Sequence, residues 1–176
     1  MLTRAARKTS ITDYNGRPNP RIAMTQSRTQ LRMGLLQHAC VAEPTANVDT
    51  AVDMIRQASD AGCDLAVTQE MFNTLYFPQV EDDRAFDLAE PIPGPTTERV
   101  AAAARECGIA FSASIFEKRA PGIYHNTTVV IDKHGTIVGR YRKMHIPDDP
   151  GFYEKYYFAP GSSPGEGRFS GPGGPT

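Results

Sequence analysis

Between Gly139 and Gly161 the chain reads Gly-Arg-Tyr-Arg-Lys-Met-His-Ile-Pro-Asp-Asp-Pro-Gly-Phe-Tyr-Glu-Lys-Tyr-Tyr-Phe-Ala-Pro-Gly. Lys143, His145, Asp148, Asp149 and Glu154 thus sit in a segment built from proline, glycine and aromatic residues, the composition of a site rather than of a core. Charged groups held there need a partner or a substrate. Lys143 follows a predicted strand, and a fixed ammonium at that point could stabilise the oxyanion of a tetrahedral intermediate. It could equally be a surface lysine paired with Asp148 or Glu154, which would contribute little. Glu70 stands at the end of the predicted strand Leu65–Gln69, where open α/β sheets place ligand-binding residues. Burial among Val67, Met71 and Phe72 would raise its pKa by desolvation and suit it to take a proton near neutrality. On spacing alone it reads more readily as a solvated loop charge. Asp148 and Asp149 could read a substrate ammonium or simply build a turn before Pro150. His145 could help order the loop. His38, His125 and His134 fall without metal-ligand spacing, so no metal is expected.

The elements that must position these groups read as follows. Residues 31–37 form a short apolar run that fits a buried strand. Residues 47–61 place Val48, Val52, Ile55 and Ala58 on one helical face, with Thr45 or Asn47 as cap and Gly62 as stop. With Leu65–Gln69 this makes a β-α-β unit, which predicts a right-handed parallel crossover. Residues 71–95 are a long loop, of the kind that is functional or disordered. Residues 97–107 predict an Ala-rich helix closed by Gly108, and 109–116 a third strand. Residues 127–131 and 136–141 predict a hairpin across Asp132-Lys133-His134-Gly135. The order β-α-β-α-β-β-β fits a layered α/β fold whose sheet needs a covering face from elsewhere.

Three stretches carry a resemblance. The run from Lys143 to Lys155, with its Met-His-Ile-Pro-Asp-Asp-Pro-Gly-Phe-Tyr-Glu-Lys, resembles the lysine loop of the carbon–nitrogen hydrolase (nitrilase) superfamily, in the branch of the N-carbamoylputrescine amidases. Asp64-Leu65-Ala66-Val67-Thr68-Gln69-Glu70-Met71-Phe72 is similar to the family strand that ends in its general-base glutamate. Phe116-Glu117-Lys118-Arg119 with Gly122-Ile123-Tyr124-His125-Asn126-Thr127 is similar to the same branch. The resemblance covers residues 31–161. It implies an αββα sandwich, of which this chain holds the N-terminal part, incomplete. It implies Glu70 as base, Lys143 as oxyanion stabiliser and Glu154 as the second glutamate, with Asp148, Asp149 and His145 toward the substrate. Without that motif Glu154 reads as a solvated partner of Lys155. The implied reaction is hydrolysis of a small-molecule carbamoyl-amine to an amine, carbon dioxide and ammonia, as in polyamine biosynthesis, with no cofactor and with homo-oligomeric relatives. The implied nucleophile is a cysteine thiolate beyond the lysine loop, and no cysteine stands at that place. Cys40, Cys63 and Cys107 read as small buried or half-buried residues. The chain as given is therefore expected to be inactive. The alternatives are a non-catalytic fragment that associates with an intact homologue, exposing strand edges, or another amidase or β-ureidopropionase of the superfamily.

The 176 residues suffice for one domain, but the foldable part, 30–161, is about half of what the resembling sandwich uses. Residues 1–29 read as a disordered extension or an upstream start, since Asn-Gly-Arg-Pro-Asn-Pro breaks any amphipathic helix and Met24 offers a second start. In 162–176, 11 of 15 residues are Gly, Pro or Ser, which cannot support a packed element and reads as a disordered, out-of-frame tail or a truncation. The net charge of −1 hides six basic residues against Asp13 in residues 1–30, so the rest sums to −6, which argues against a nucleic-acid partner. No apolar stretch is long enough to suggest a membrane span. Three cysteines without CxxC spacing fit a reducing cytoplasm.

Overall fold

A computed structural model describes residues 30–162. The expected extension 1–29, and residues 163–176 of the expected tail, lie outside the described residues. Strand β1 (Met33–Leu36) leads to helix α1 (Pro44–Asp60). The helix starts three residues before its expected beginning because Pro44 takes the first turn, where no N–H partner is needed, and the Glu43 side chain accepts from Thr45 N at 3.2 Å. Glu43 is therefore the cap, not Thr45 or Asn47. Asn47 is buried and ties the backbone of Val41 and Asn73 instead. Gly62, with φ of 74°, stops the helix in the left-handed conformation that glycine adopts without a Cβ clash.

Strand β2 (Leu65–Thr68) follows, then the long loop, which is not structureless: 3₁₀ turns occupy Phe77–Gln79 and Asp83–Leu88. Helix α2 (Pro95–Cys107), strand β3 (Ala110–Ala120), strand β4 (Ile123–Ile131), strand β5 (Ile137–Arg142) and a one-turn helix α3 (Glu154–Tyr157) complete the chain. Strands β3 and β4 extend beyond the expected 109–116 and 127–131 because a second hairpin joins them across Pro121-Gly122. The sheet runs β1-β2-β3-β4-β5, parallel through β3 and antiparallel beyond it.

Helices α1 and α2 pack against each other on one face of the sheet. Ala66, Phe111, Ala113, Ile115, Val129 and Ile131 point to that side and pack with Val48, Val52, Ile55, Val100 and Ala104. A second cluster forms over one end of the opposite face, where Phe116, Met71, Tyr157 and Phe158 gather with Phe77, Phe86 and Tyr124. Its rings pack in tilted and edge-on pairs, with Phe77 and Phe116 centroids 4.9 Å apart and Phe86 and Tyr124 4.7 Å apart. This cluster anchors the loop after β2 and helix α3 to the same end of the sheet. The remainder of that face carries Met33, Leu35 and Tyr141, all exposed. It lacks the covering layer among the described residues that the helices give its other side.

Candidate active site

Glu70 is the second residue beyond β2. The strand end is fixed to the segment after β1 by Gln69, whose backbone N–H donates to Leu36 O at 3.3 Å and whose Nε2 donates to His38 O at 2.8 Å. Immediately after Glu70, Met71 takes a left-handed φ of 52°, an unfavourable conformation for a residue with a side chain. That turn sends Met71 and Phe72 into the interior and leaves Glu70 on the uncovered side of the sheet. The burial expected for Glu70 among apolar neighbours is thus not realised: its side chain is 49% exposed. Adjacent apolar residues in sequence do not bury a carboxylate when the backbone turns between them.

Lys143 follows β5, and its backbone N–H donates to Asn126 O at 2.9 Å on β4. The chain then leaves the sheet and returns to β4 through Ala159 N to Tyr124 O at 2.8 Å, while Gly161 N reaches Lys143 O at 2.9 Å. Both ends of the lysine loop are thereby fixed to neighbouring residues of one strand. Within the loop, Tyr153 N donates to Pro78 O at 2.7 Å, and the aromatic cluster under α3 holds Glu154 inward at 3% exposure.

These two constructions bring Glu70, Lys143 and Glu154 together from positions 73 and 11 residues apart. Lys143 Nζ donates to Glu154 Oε2 at 2.7 Å and to Glu70 Oε1 at 3.2 Å. Glu154 accepts a further bond at Oε1 from the Tyr76 hydroxyl at 2.8 Å. Glu70 Oε1 also accepts from Asn126 Nδ2 at 2.5 Å, and Ser114 Oγ donates to Asn126 Oδ1 at 3.1 Å. A cavity of about 290 Å³ opens beside the group, lined by Glu70 and Lys143 and by Ser112, Ser114, Thr128 and Tyr141 of the uncovered face.

Two carboxylates flank one ammonium, so the cluster is net negative and holds the lysine charged. Burial alone would lower the Lys143 pKa, but the bond to Glu154 and the charges of Glu70 and Glu154 outweigh it and raise it above the ordinary lysine value. Tyr76 is pushed well above the usual phenol range by burial, then by its bond to Glu154 and by the charges of Glu154 and Glu70. Tyr76 is therefore a neutral donor to Glu154. A buried carboxylate so satisfied avoids the penalty of an unpaired charge. Chemically, the group offers a fixed cation for developing negative charge, and a partly solvated carboxylate with one oxygen, Oε2, not engaged among the described residues.

The other expected site residues stand elsewhere. Asp148 and Asp149 are exposed, and Asp149 builds a turn through Phe152 N to Asp149 O at 2.8 Å. His145 is exposed and lines a separate apolar cleft of about 1150 Å³ beside Met144, Ile146 and Tyr156. Neither aspartate nor His145 borders the cavity at Glu70. The three cysteines are free and half-buried, and none is hydrogen-bonded to Glu70, Lys143 or Glu154. Cys40 donates to Phe72 O at 3.2 Å, and burial raises its thiol pKa against the opposing bond from Gln69, the reverse of an activated nucleophile. Asn126, Ser114 and Tyr76 were not singled out from sequence. For Ser114 and Asn126 a signal existed. Ser112 and Ser114 alternate with Phe111, Ala113 and Ile115, which marks one polar strand face, and recognising the Pro121-Gly122 hairpin would have placed Asn126 and Thr128 beside it.

A model of the carbon-nitrogen hydrolase family matches residues 21–174. The chain is 39% identical over 141 residues to an N-carbamoylputrescine amidase of Solanum lycopersicum, a match covering 80% of this chain and 47% of the relative. A crystal structure of a carbon-nitrogen hydrolase from Helicobacter pylori G27 superposes with a TM-score of 0.72 at 42% identity, covering 75% of this chain and 45% of that one. A variant of the amidase from Nesterenkonia sp. AN1, bearing the acetamide moiety of fluoroacetamide on its active-site cysteine, superposes with a TM-score of 0.65 at 26% identity, covering 76% and 49%. The chain spans about half the length of the curated relatives it matches.

Proposed function

This chain belongs to the carbon–nitrogen hydrolase family, and from that premise we propose that it carries the base-and-lysine part of an amidase site for a carbamoyl-amine of the N-carbamoylputrescine type. The observation that supports this reading is the contact of Lys143 Nζ with both Glu70 and Glu154 beside an open cavity. Its likeness to N-carbamoylputrescine amidases at 37–39% identity supports the substrate class.

In this reading Glu70 takes the proton of a cysteine thiol, and the thiolate attacks the carbamoyl carbon. The Lys143 ammonium stabilises the oxyanion as it forms, and Glu154 with Tyr76 keeps that ammonium in place. The carbon–nitrogen bond breaks as Glu70 returns the proton to the leaving nitrogen. Glu70 then activates water to hydrolyse the thioester-like intermediate, with amine, carbon dioxide and ammonia as final products. Cys40, Cys63 and Cys107 make no bond to the Glu70–Lys143–Glu154 group. None of them is assigned the attack, and the 176-residue polypeptide alone is expected to bind but not to turn over.

The test adds N-carbamoylputrescine to the purified chain, following ammonia release and the side-chain NMR signals of Lys143. The expected result is a ligand-dependent change in those signals, absent in Glu70→Gln, with no ammonia. Signals indifferent to the ligand would sink the substrate assignment. Ammonia released by the chain alone would sink the expectation of inactivity.

A further inference from the structure

We propose that Asn126 is a positioning residue that grips Glu70 by one carboxylate oxygen and so reserves the other, Oε2, for proton transfer. The proposal rests on the amidase reading for the use made of Oε2, but the grip itself does not. Both bonds to the Glu70 carboxylate fall on Oε1, from Asn126 Nδ2 at 2.5 Å and Lys143 Nζ at 3.2 Å. Oε2 has no hydrogen-bond partner among the described residues.

The direction of the Asn126 amide is set from behind. Met71 N donates to Ser114 Oγ at 3.4 Å, and the Ser114 hydroxyl donates to Asn126 Oδ1 at 3.1 Å. A reversed amide would put its oxygen against the Glu70 carboxylate and leave the serine hydrogen without its acceptor, a double loss in a side chain only 5% exposed. The series Met71, Ser114, Asn126, Glu70 therefore donates in one direction. It begins at the strained residue next to Glu70 and ends on the Glu70 side chain, which closes a ring around the turn.

The same residue also sets the cation, because Asn126 O accepts the backbone N–H of Lys143 at 2.9 Å. Base and ammonium are thus indexed to one rigid strand position by its side chain and main chain respectively. A neutral amide suits this task. It orients a carboxylate without adding a second positive charge that would make the group a poorer base.

The test is the side-chain amide signal of Asn126 in the ¹⁵N-labelled 176-residue chain, assigned by its loss in Asn126→Ala. One of its two protons is expected well downfield of the other asparagine amides, as bonding to a carboxylate requires. Glu70→Ala should return it to the ordinary range, whereas Glu154→Gln should leave it in place. Ser114→Ala should move the downfield proton back toward the ordinary range by freeing the amide from its orientation, and Ser114→Thr, which keeps the hydroxyl, should restore the downfield position. An Asn126 signal in the ordinary range, or one unmoved by Glu70→Ala, overturns the proposal. A downfield signal in a chain indifferent to N-carbamoylputrescine would leave the grip standing and remove the amidase reading alone.

Discussion

Replacing Lys143 with methionine separates its two carboxylate contacts by their cost. Glu154 is 4% exposed in its side chain and lies 2.7 Å from Nζ, while Glu70 is 49% exposed and 3.2 Å away. Removing one partner of a buried pair costs about 3–5 kcal/mol by stranding the other charge. Here Lys143 is itself 29% exposed and the Tyr76 hydroxyl remains on Glu154, so the cost falls below that range, to about 2–3 kcal/mol. The Glu70 contact is worth about 0.2–1 kcal/mol, the range of solvent-exposed pairs. Urea unfolding of the single and double variants gives both coupling energies. With a urea slope of about 1–3 kcal/mol/M, Lys143→Met should lower the midpoint by roughly 0.7–3 M. Adding Glu154→Gln should recover part of that loss, because no buried charge is left unpaired, whereas adding Glu70→Gln should change little. The reasoning is refuted if Lys143→Met costs no more than Lys133→Met on the hairpin turn, or if the coupling to Glu70 exceeds that to Glu154.

Two further outcomes test how the frame around the site is held. Glu117 is 2% exposed and accepts two guanidinium bonds from Arg142, each at 2.7 Å, and the Thr127 hydroxyl at 2.6 Å. Burial alone would raise its pKa, but Arg142, Thr127 and the charge of Arg140 outweigh it and hold it below the usual carboxylate value. A depressed pKa contributes stability that is present above the unfolded value, near about 4.3, and lost as pH falls through the folded one. Stability measured by urea unfolding from pH 6 down to 3 should fall less steeply in Glu117→Gln than in the unsubstituted chain. Asn47 makes three bonds to the backbone, two to Val41 at 2.8 Å and one to Asn73 at 3.1 Å, with 1% exposure. Asn47→Ala should cost about 2–4 kcal/mol, since each buried bond lost strands its backbone partner; thermal unfolding reads it, and an unchanged midpoint would deny Asn47 its role in fixing the start of α1.

The sequence by itself determined the order of the five strands and two long helices, both helices to within three residues at either end, and the α/β class, because apolar periodicity and glycine stops are local properties of the chain. It also pointed to Glu70, Lys143 and Glu154, through motifs rather than through any calculation of where they would meet. The meeting itself belongs to the tertiary structure. A left-handed Met71 leaves Glu70 on the open face despite its apolar neighbours, and the aromatic cluster draws Glu154 inward next to Lys143. Asn126 and Ser114 join the group only through the register of β3 against β4, set by a hairpin that spacing alone did not reveal. Asp148 and Asp149, close to Lys143 in sequence, turn away from the cavity. Short-range patterns fix which residues are helical or extended, but the face a side chain occupies depends on contacts between residues dozens of positions apart, and a single backbone turn or a one-residue shift in register reverses it.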